Sequence, residues 1–390
     1  LAYDSNKIDG VVGRQQIENL PLNGRSFLQL AFLEPGVTVN TASLSQYNAQ
    51  FSVSILGGDA GRTAIQADGG NIRDRTTGNT SQNISQETVQ EFQLSSVNFD
   101  LSTGISSVGA VNIVTRGGGN DFHGTGYFYY RDSNIAAYPA LRRNLINPEP
   151  FFARRQPGVW VSGPIKRDKL FFFANYEYNN QDSVVTVQPN AASLQSFIDN
   201  PTSPYNVHQF SIRADWRVST NHTIFGRWTI DKNRSFGSPG GNPLPSNWLV
   251  NSNNNHQTLI GWTATLTPTF VNDFRFSYVY WKNRNLVPSA SDCPASSPGC
   301  IGTGGPQITV AGAGFVIGNT QNAPQGRDYD TFQWVNNSTW QKGSHRIKFG
   351  GELERDTTEG FWEFCLPACI TVWSPEQIAS FNATAAPANR

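Results

Sequence analysis

The residues with most chemical potential in this 390-residue chain are four cysteines, all late and in two close pairs. Cys293 and Cys300 sit within CPASSPGC, and Cys365 and Cys369 within CLPAC. Thiols so placed either ligate a metal or close disulfides. Four-thiolate zinc sites favour Cys-x2–4-Cys knuckles, and the first pair is too widely spaced for one. The Pro- and Gly-rich surroundings point to two local disulfides that brace long loops in an oxidising compartment. The five histidines, His123, His208, His222, His256 and His345, form no HExxH and no i, i+4 pair, so no helical metal site is expected. His208 falls on an apolar strand face, as an interfacial residue. Gly117-Gly118-Gly119 could suggest a phosphate cradle, but no helix carrying the Lys and Ser/Thr of a P-loop follows, and a flexible junction is expected there. No Gly-x-Ser-x-Gly elbow and no carboxylate pair of the glycosidase kind stands out. The chain is therefore expected not to be an enzyme and to hold neither metal nor cofactor.

What remains are charged residues spaced two apart. Arg213, Asp215 and Arg217 alternate with Ile212, Ala214 and Trp216; Arg227 and Asp231 alternate with Trp228 and Ile230. Arg275 lies between Phe274 and Phe276, and Glu352 and Glu354 flank Leu353. A period of two puts one set on each face of a strand. All eight are candidates to line a polar lumen, with the aromatic and aliphatic set facing the other way.

The elements that must position them form a long antiparallel sheet. Clear alternation at 172–179, 207–218, 223–231, 260–267, 273–280 and 346–354, with less regular runs at 122–131, 156–163 and 329–341, gives nine strands. The links at 164–169, 219–222, 268–272 and 342–345 are short; those at 132–155, 181–204, 234–254 and 285–326 are long. Strict alternation of short and long links, with about ten residues per strand, matches an outer-membrane β-barrel. A soluble β-sandwich is the alternative, though its strands are usually nearer five or six residues.

Composition agrees. Lys plus Arg and Asp plus Glu both number 29, so no bulk charge favours nucleic acid. Charged residues are only 15% of the chain and aromatics 12%, and no apolar window reaches the length of a membrane-spanning helix. Residues 1–120 differ from the rest. Phe27, Leu30 and Leu33 are spaced as on a short helix that Pro35-Gly36 ends, and SQETVQEF at 85–92 reads as a second, capped by Ser85. With β-like pieces at 51–56, Thr63–Ala67 and Gly109–Thr115, this is a small α/β unit.

Four stretches carry a family likeness: IENLPLNGRSFLQLAFLEPGV at 17–37, SQETVQEFQL at 85–94, NFDLSTGISSVGAVNIVTRGGGNDFHG at 98–124 and GPIKRDKLFFFANYEY at 163–178. In this order they resemble the plug domain and first barrel strands of TonB-dependent outer-membrane receptors, of the Oar-like branch. The resemblance implies an α+β plug domain at 1–120, followed at 121–390 by the N-terminal portion of an antiparallel transmembrane β-barrel. It implies a receptor in the outer membrane of a Gram-negative-type envelope, taking up a scarce or bulky solute with energy from the TonB–ExbB–ExbD complex. The partners would be that complex, outer-membrane lipid and the solute, with no nucleic acid. A barrel that encloses a plug has about 22 strands, so nine imply a truncated receptor, and no recognisable TonB box precedes the plug. A structural or adhesin-like barrel without transport, and a soluble β-rich binding module, are the alternative functions.

Overall fold

In a computed structural model of the chain, residues 7–20, 22–41, 51–74, 78–98, 108–138, 142–240, 243–294, 296–373 and 375–384 are described. Pro21 of LPLNGR and residues 99–107 of the junction stretch lie outside them. The N-terminal unit contains β1 (Lys7–Gly13), α1 (Arg14–Asn19), β2 (Val37–Thr41), β3 (Phe51–Ile55), β4 (Thr63–Ala67), β5 (Gly70–Asn71), β6 (Val89–Asn98) and β7 (Gly109–Thr115). Five of its strands form one sheet in the order β1-β6-β7-β4-β5, while β2 pairs with β3. Its core is apolar and closed: Ile17, Phe27, Leu28, Leu30, Ile65, Phe92 and Val111 are fully buried together.

Two expectations for this unit change. The 26–33 segment is helical but tightens to a 3-10 turn over Phe27–Leu33. The second helix is confined to three residues, Gln86–Thr88, after which the chain extends as β6. Val89, Phe92 and Leu94 reach the core from β6 because a bulge between Val89 and Glu91 resets its alternation. That one-residue slip makes a strand read as a helical spacing.

The rest of the chain is a wall. Its strands are β8 (His123–Asp132), β9 (Phe152–Lys166), β10 (Leu170–Ser183), β11 (Tyr205–Arg217), β12 (His222–Gly237), β13 (Leu249–Thr267) and β14 (Phe270–Leu286). Next in the chain, β15 (Gln307–Val310) and β16 (Phe315–Ile317) leave the wall, which resumes with β17 (Gln325–Lys342) and β18 (His345–Trp362). The nine wall strands pair antiparallel in simple sequence order from β8 to β18. Among the described residues they do not close on themselves, and β8 and β18 are the edges. Wall strands run from 10 to 19 residues, and all but β8 exceed the ten expected. The additions lie at the long-loop end, where sequences such as Asn-Ser-Asn-Asn-Asn at 251–255 are polar on both faces, so the ladder continues where the hydropathy pattern is silent.

The long loops fold together. β15 pairs antiparallel with β16 and parallel with β19 (Cys369–Val372), and α2 (Pro375–Thr384) follows. Trp248, Phe236, Leu244, Phe315 and the buried Cys293 and Cys300 form a second core under this cap. The sequence gives no strand-length alternation there, so the cap sheet goes unforeseen.

Candidate functional site

The wall's two faces differ as the alternation requires. On β11, β12 and β13 the apolar set includes Ile212, Trp216, Trp228, Ile260 and Trp262, all exposed; the interleaved polar set includes Ser211, Arg227, Asp231 and Gln257, all buried. Burial of the polar face, with exposure of the greasy one, inverts the arrangement of a soluble protein. The N-terminal unit covers the polar face. The candidate site is the seam between them.

Three wall arginines converge there on one turn. Between β4 and β5, Asp68 and Gly69 both take the left-handed conformation, with φ of 50° and 81°. Asp tolerates it, and at Gly69 a Cβ would sit 2.2 Å from the Arg275 guanidinium. The Asp68 carboxylate accepts from the Thr115 N–H at 2.8 Å and the Thr115 hydroxyl at 2.7 Å. Arg227 Nε lies 2.8 Å from it as an ion contact, and Arg213 Nη1 donates at 3.3 Å. Arg275 donates to the Asp68 carbonyl, and Arg227 also donates to the Ala67 carbonyl at 3.1 Å. Burial would push the Asp68 carboxyl up, but Arg227, Arg213 and the Thr115 hydrogen bonds outweigh it and hold it below the usual carboxylate range. The ADGGN loop at 67–71 is thus the turn on which the wall arginines close.

A second ionic node lies beside Arg25 of LPLNGR and Arg116 of the junction stretch. Arg25 pairs with Glu87 at 2.7 Å and approaches Glu177 of β10 at 3.7 Å, and its guanidinium stacks 4.1 Å from the Tyr129 ring centroid. Glu177 accepts from Ser85 at 2.7 Å and from the Tyr127 hydroxyl at 2.8 Å. Burial opposes the Arg25 charge, yet Glu177, Tyr129 and Glu87 raise its pKa. Arg116 stacks 3.9 Å from the Trp160 centroid, and burial with the nearby Arg14 cation brings its pKa down to about 10. Between Arg116 and the first wall strand, Gly118 lies so close to the wall that a Cβ would meet the Phe172 carbonyl at 2.4 Å. The glycine run expected as a flexible junction is laid against the wall.

Further contacts complete the seam: Asn71 N–H donates to Gln333 at 3.0 Å, Asn83 N–H to Asp231 at 2.7 Å, and Arg327 approaches Asp74 at 3.4 Å. Of the eight candidate lumen residues, Arg213, Arg227, Asp231 and Arg275 therefore touch the N-terminal unit. Asp215 pairs with Arg213 at 2.7 Å, and Arg217 lies over the Phe171 ring. Glu352, on the exposed edge strand, accepts from Gln333 at 2.8 Å, and the half-buried Glu354 stands opposite Gln333. Disulfides join Cys293 to Cys300 and Cys365 to Cys369, both in the cap region. His208 is exposed on the outer face, bonded to the Tyr176 hydroxyl at 2.8 Å. Among the described residues no group of three or more His, Cys, Asp or Glu is placed to hold a metal ion.

With an aromatic outer face, a polar inner face and a folded unit against it, the wall meets the family that matches its sequence. The model of the outer membrane beta barrel domain matches residues 114–195 and 185–364. The chain belongs to that family. Its place is accordingly the outer membrane. Over 160 residues the chain is 29% identical to the TonB-dependent transporter Oar of Myxococcus xanthus, covering 39% of this chain and 14% of that protein. The outer membrane transporter YddB of Escherichia coli superimposes with a TM-score of 0.69 at 10% identity, covering 90% of this chain and 48% of that one. A mutant of the ferric enterobactin receptor PfeA of Pseudomonas aeruginosa gives 0.62 at 12% identity, covering 90% of this chain and 49% of that one. At these identities the solved structures speak to the fold, which is that of a TonB-dependent receptor with an unclosed wall. The chain spans about half the length of these two structures.

Proposed function

We propose that the chain is the plug and first barrel strands of an outer-membrane receptor that takes up a scarce or bulky solute using energy delivered through TonB. Residues 1–120 are read as the plug domain and residues 121–390 as the N-terminal portion of the barrel. The observation that carries this reading is the convergence of Arg213, Arg227 and Arg275, from three wall strands, on the single Asp68 turn of the N-terminal unit. A folded unit held by a few ionic and hydrogen-bonded points along a polar wall can be loosened without dismantling either part. An apolar interface of the same extent would bind it as part of one core.

The reading names TonB and its inner-membrane complex as partners, outer-membrane lipid as the solvent of the aromatic face, and no catalytic role. The homologue and the structural neighbours named above are transporters and receptors, and the seam residues are engaged in pairing and packing. The test is capture of the full-length protein by the periplasmic part of TonB, with solute uptake measured in cells with and without TonB. TonB capture and TonB-dependent uptake are expected. A full-length protein that assembles in the outer membrane yet shows neither is a structural or adhesive barrel, and the proposal fails.

A further inference from the structure

The inner face of the wall carries polar atoms that neither the wall nor the N-terminal unit satisfies. Gln209 on β11, Asp231 on β12 and Asn255 on β13 stand directly opposite one another across three neighbouring strands. All face inward and are 7%, 4% and 0% exposed. Asp231 Oδ1, both polar atoms of the Asn255 amide and Gln209 Nε2 lack a hydrogen-bond partner, as does the hydroxyl of Ser211 on the same face of β11. The other Asp231 oxygen accepts the Asn83 N–H of the N-terminal unit at 2.7 Å, and Asn233, two positions along, is the neighbouring amide that acts on the carboxylate. Arg227, four positions back on the same face, is engaged with Asp68, and among the described residues no cation pairs with Asp231.

A carboxylate removed from water is strongly disfavoured unless a counter-charge or coordinating group accompanies it, and buried amides left without partners add to that penalty. A cavity of about 10 Å³, lined in part by Asn83, Ser85, Gln209, Ser211 and Thr229, opens at the Gln209 end of the row, and Asp231 and Asn255 lie outside its lining. It is about large enough for one water molecule. One negative charge, the unpartnered Asn255 amide oxygen on one side of it, and a Gln209 N–H2 and Ser211 hydroxyl free to anchor a water make a coherent set.

We propose that the Gln209–Asp231–Asn255 row is a binding site for one alkali-metal cation. Sodium or potassium is held by Asp231 Oδ1 and Asn255 Oδ1, and its shell is completed by water that Gln209 and Ser211 anchor. The charge count selects the class. A single carboxylate among neutral amides and hydroxyls balances one positive charge, whereas calcium sites gather several carboxylates in a shell of six to eight oxygens. The same carboxylate that faces the ion holds Asn83, so ion binding and seating of that segment of the N-terminal unit are linked. This linkage is independent of what the receptor carries.

The test uses the full-length protein in detergent at one ionic strength and one pH, with sodium, potassium or choline as the chloride salt. It reads amide hydrogen exchange in the peptide covering residues 79–85. Exchange in choline is expected to be about tenfold faster than in sodium or potassium when the ion is present at about ten times its dissociation constant. Asp231→Asn, which keeps the size and an acceptor for the Asn83 N–H, is expected to erase the difference. Equal exchange in all three salts identifies a neutral, protonated acid and overturns the proposal, as does a salt difference that persists in Asp231→Asn. Should that variant fail to fold, wild-type crystals soaked in thallium(I) or rubidium decide the matter. An anomalous peak in contact with Asp231 and Asn255 supports the site, and its absence there overturns it.

Discussion

Asp68 is a single carboxylate met by donors from four places: the Thr115 backbone, the Thr115 hydroxyl, Arg213 and Arg227. Removing one partner from a buried ionic group costs about 3–5 kcal/mol, because the remaining charges stay buried. Asp68→Asn is therefore expected to loosen the N-terminal unit by a few kcal/mol, seen as a lower urea midpoint for that unit in the full-length protein. The same residue gives the seam a pH dependence. Its folded pKa lies below the ordinary aspartate range, so its stabilisation is complete above the unfolded value and is lost as pH falls through the folded one. The wild-type urea midpoint is expected to fall below about pH 4. An equal fall in Asp68→Asn would assign the effect to other carboxylates. Alternation alone makes Arg213, Arg227 and Arg275 visible in the sequence, because it is a local property of each strand. Asp68 is invisible there: its bond to Arg213 spans 145 positions and its bond to Arg275 spans 207. No spacing rule reaches so far.

At the scale of elements, all nine wall strands and the β4 and β7 bounds are legible in the sequence, since one wet and one greasy face force a period of two. Legibility ends where that contrast ends. The outer half of β13 carries Asn251, Asn253 and Asn255 inward and Ser252 and Asn254 outward, so the strand continues with no pattern to announce it. On the outer face, Trp228 stacks on His256 and meets Phe210 edge-on while remaining 40% exposed. Trp228→Arg is expected to weaken assembly by about 2–4 kcal/mol if the residue lies near the bilayer midplane. Folding yield into lipid vesicles checks this, and an unchanged yield would count against that depth. Gly118→Val is expected to impair docking of the N-terminal unit, since the added side chain meets the Phe172 backbone and not a movable side-chain tip. Faster proteolysis in the 114–122 segment is the readout. In the cap, both cysteine pairs are bonded, so thiol labelling of the unfolded protein without reductant is expected to find no free thiol. Four labelled thiols would remove the bracing role.

At the scale of the whole molecule, the chain is a curved antiparallel wall with a small α/β unit on its wet side and a disulfide-bonded cap at its long-loop end. Strands β8 and β18 are edges, and β18 is exposed along almost all of its length. Backbone groups at a lipid-exposed edge have no internal partner, so the stable form in a membrane is one in which both edges are paired. The facing of the wall is what everything else depends on. Spin labels report it directly when placed on the full-length protein in lipid vesicles through Trp228→Cys, Phe276→Cys, Thr229→Cys and Ser277→Cys, one at a time. Labels at 228 and 276 are expected to relax strongly with oxygen, which concentrates in the hydrocarbon. Those at 229 and 277, facing the N-terminal unit, are expected to be shielded from oxygen. Strong oxygen contact at 229 and 277, with 228 and 276 shielded, would contradict a wall that turns its aromatic face to lipid.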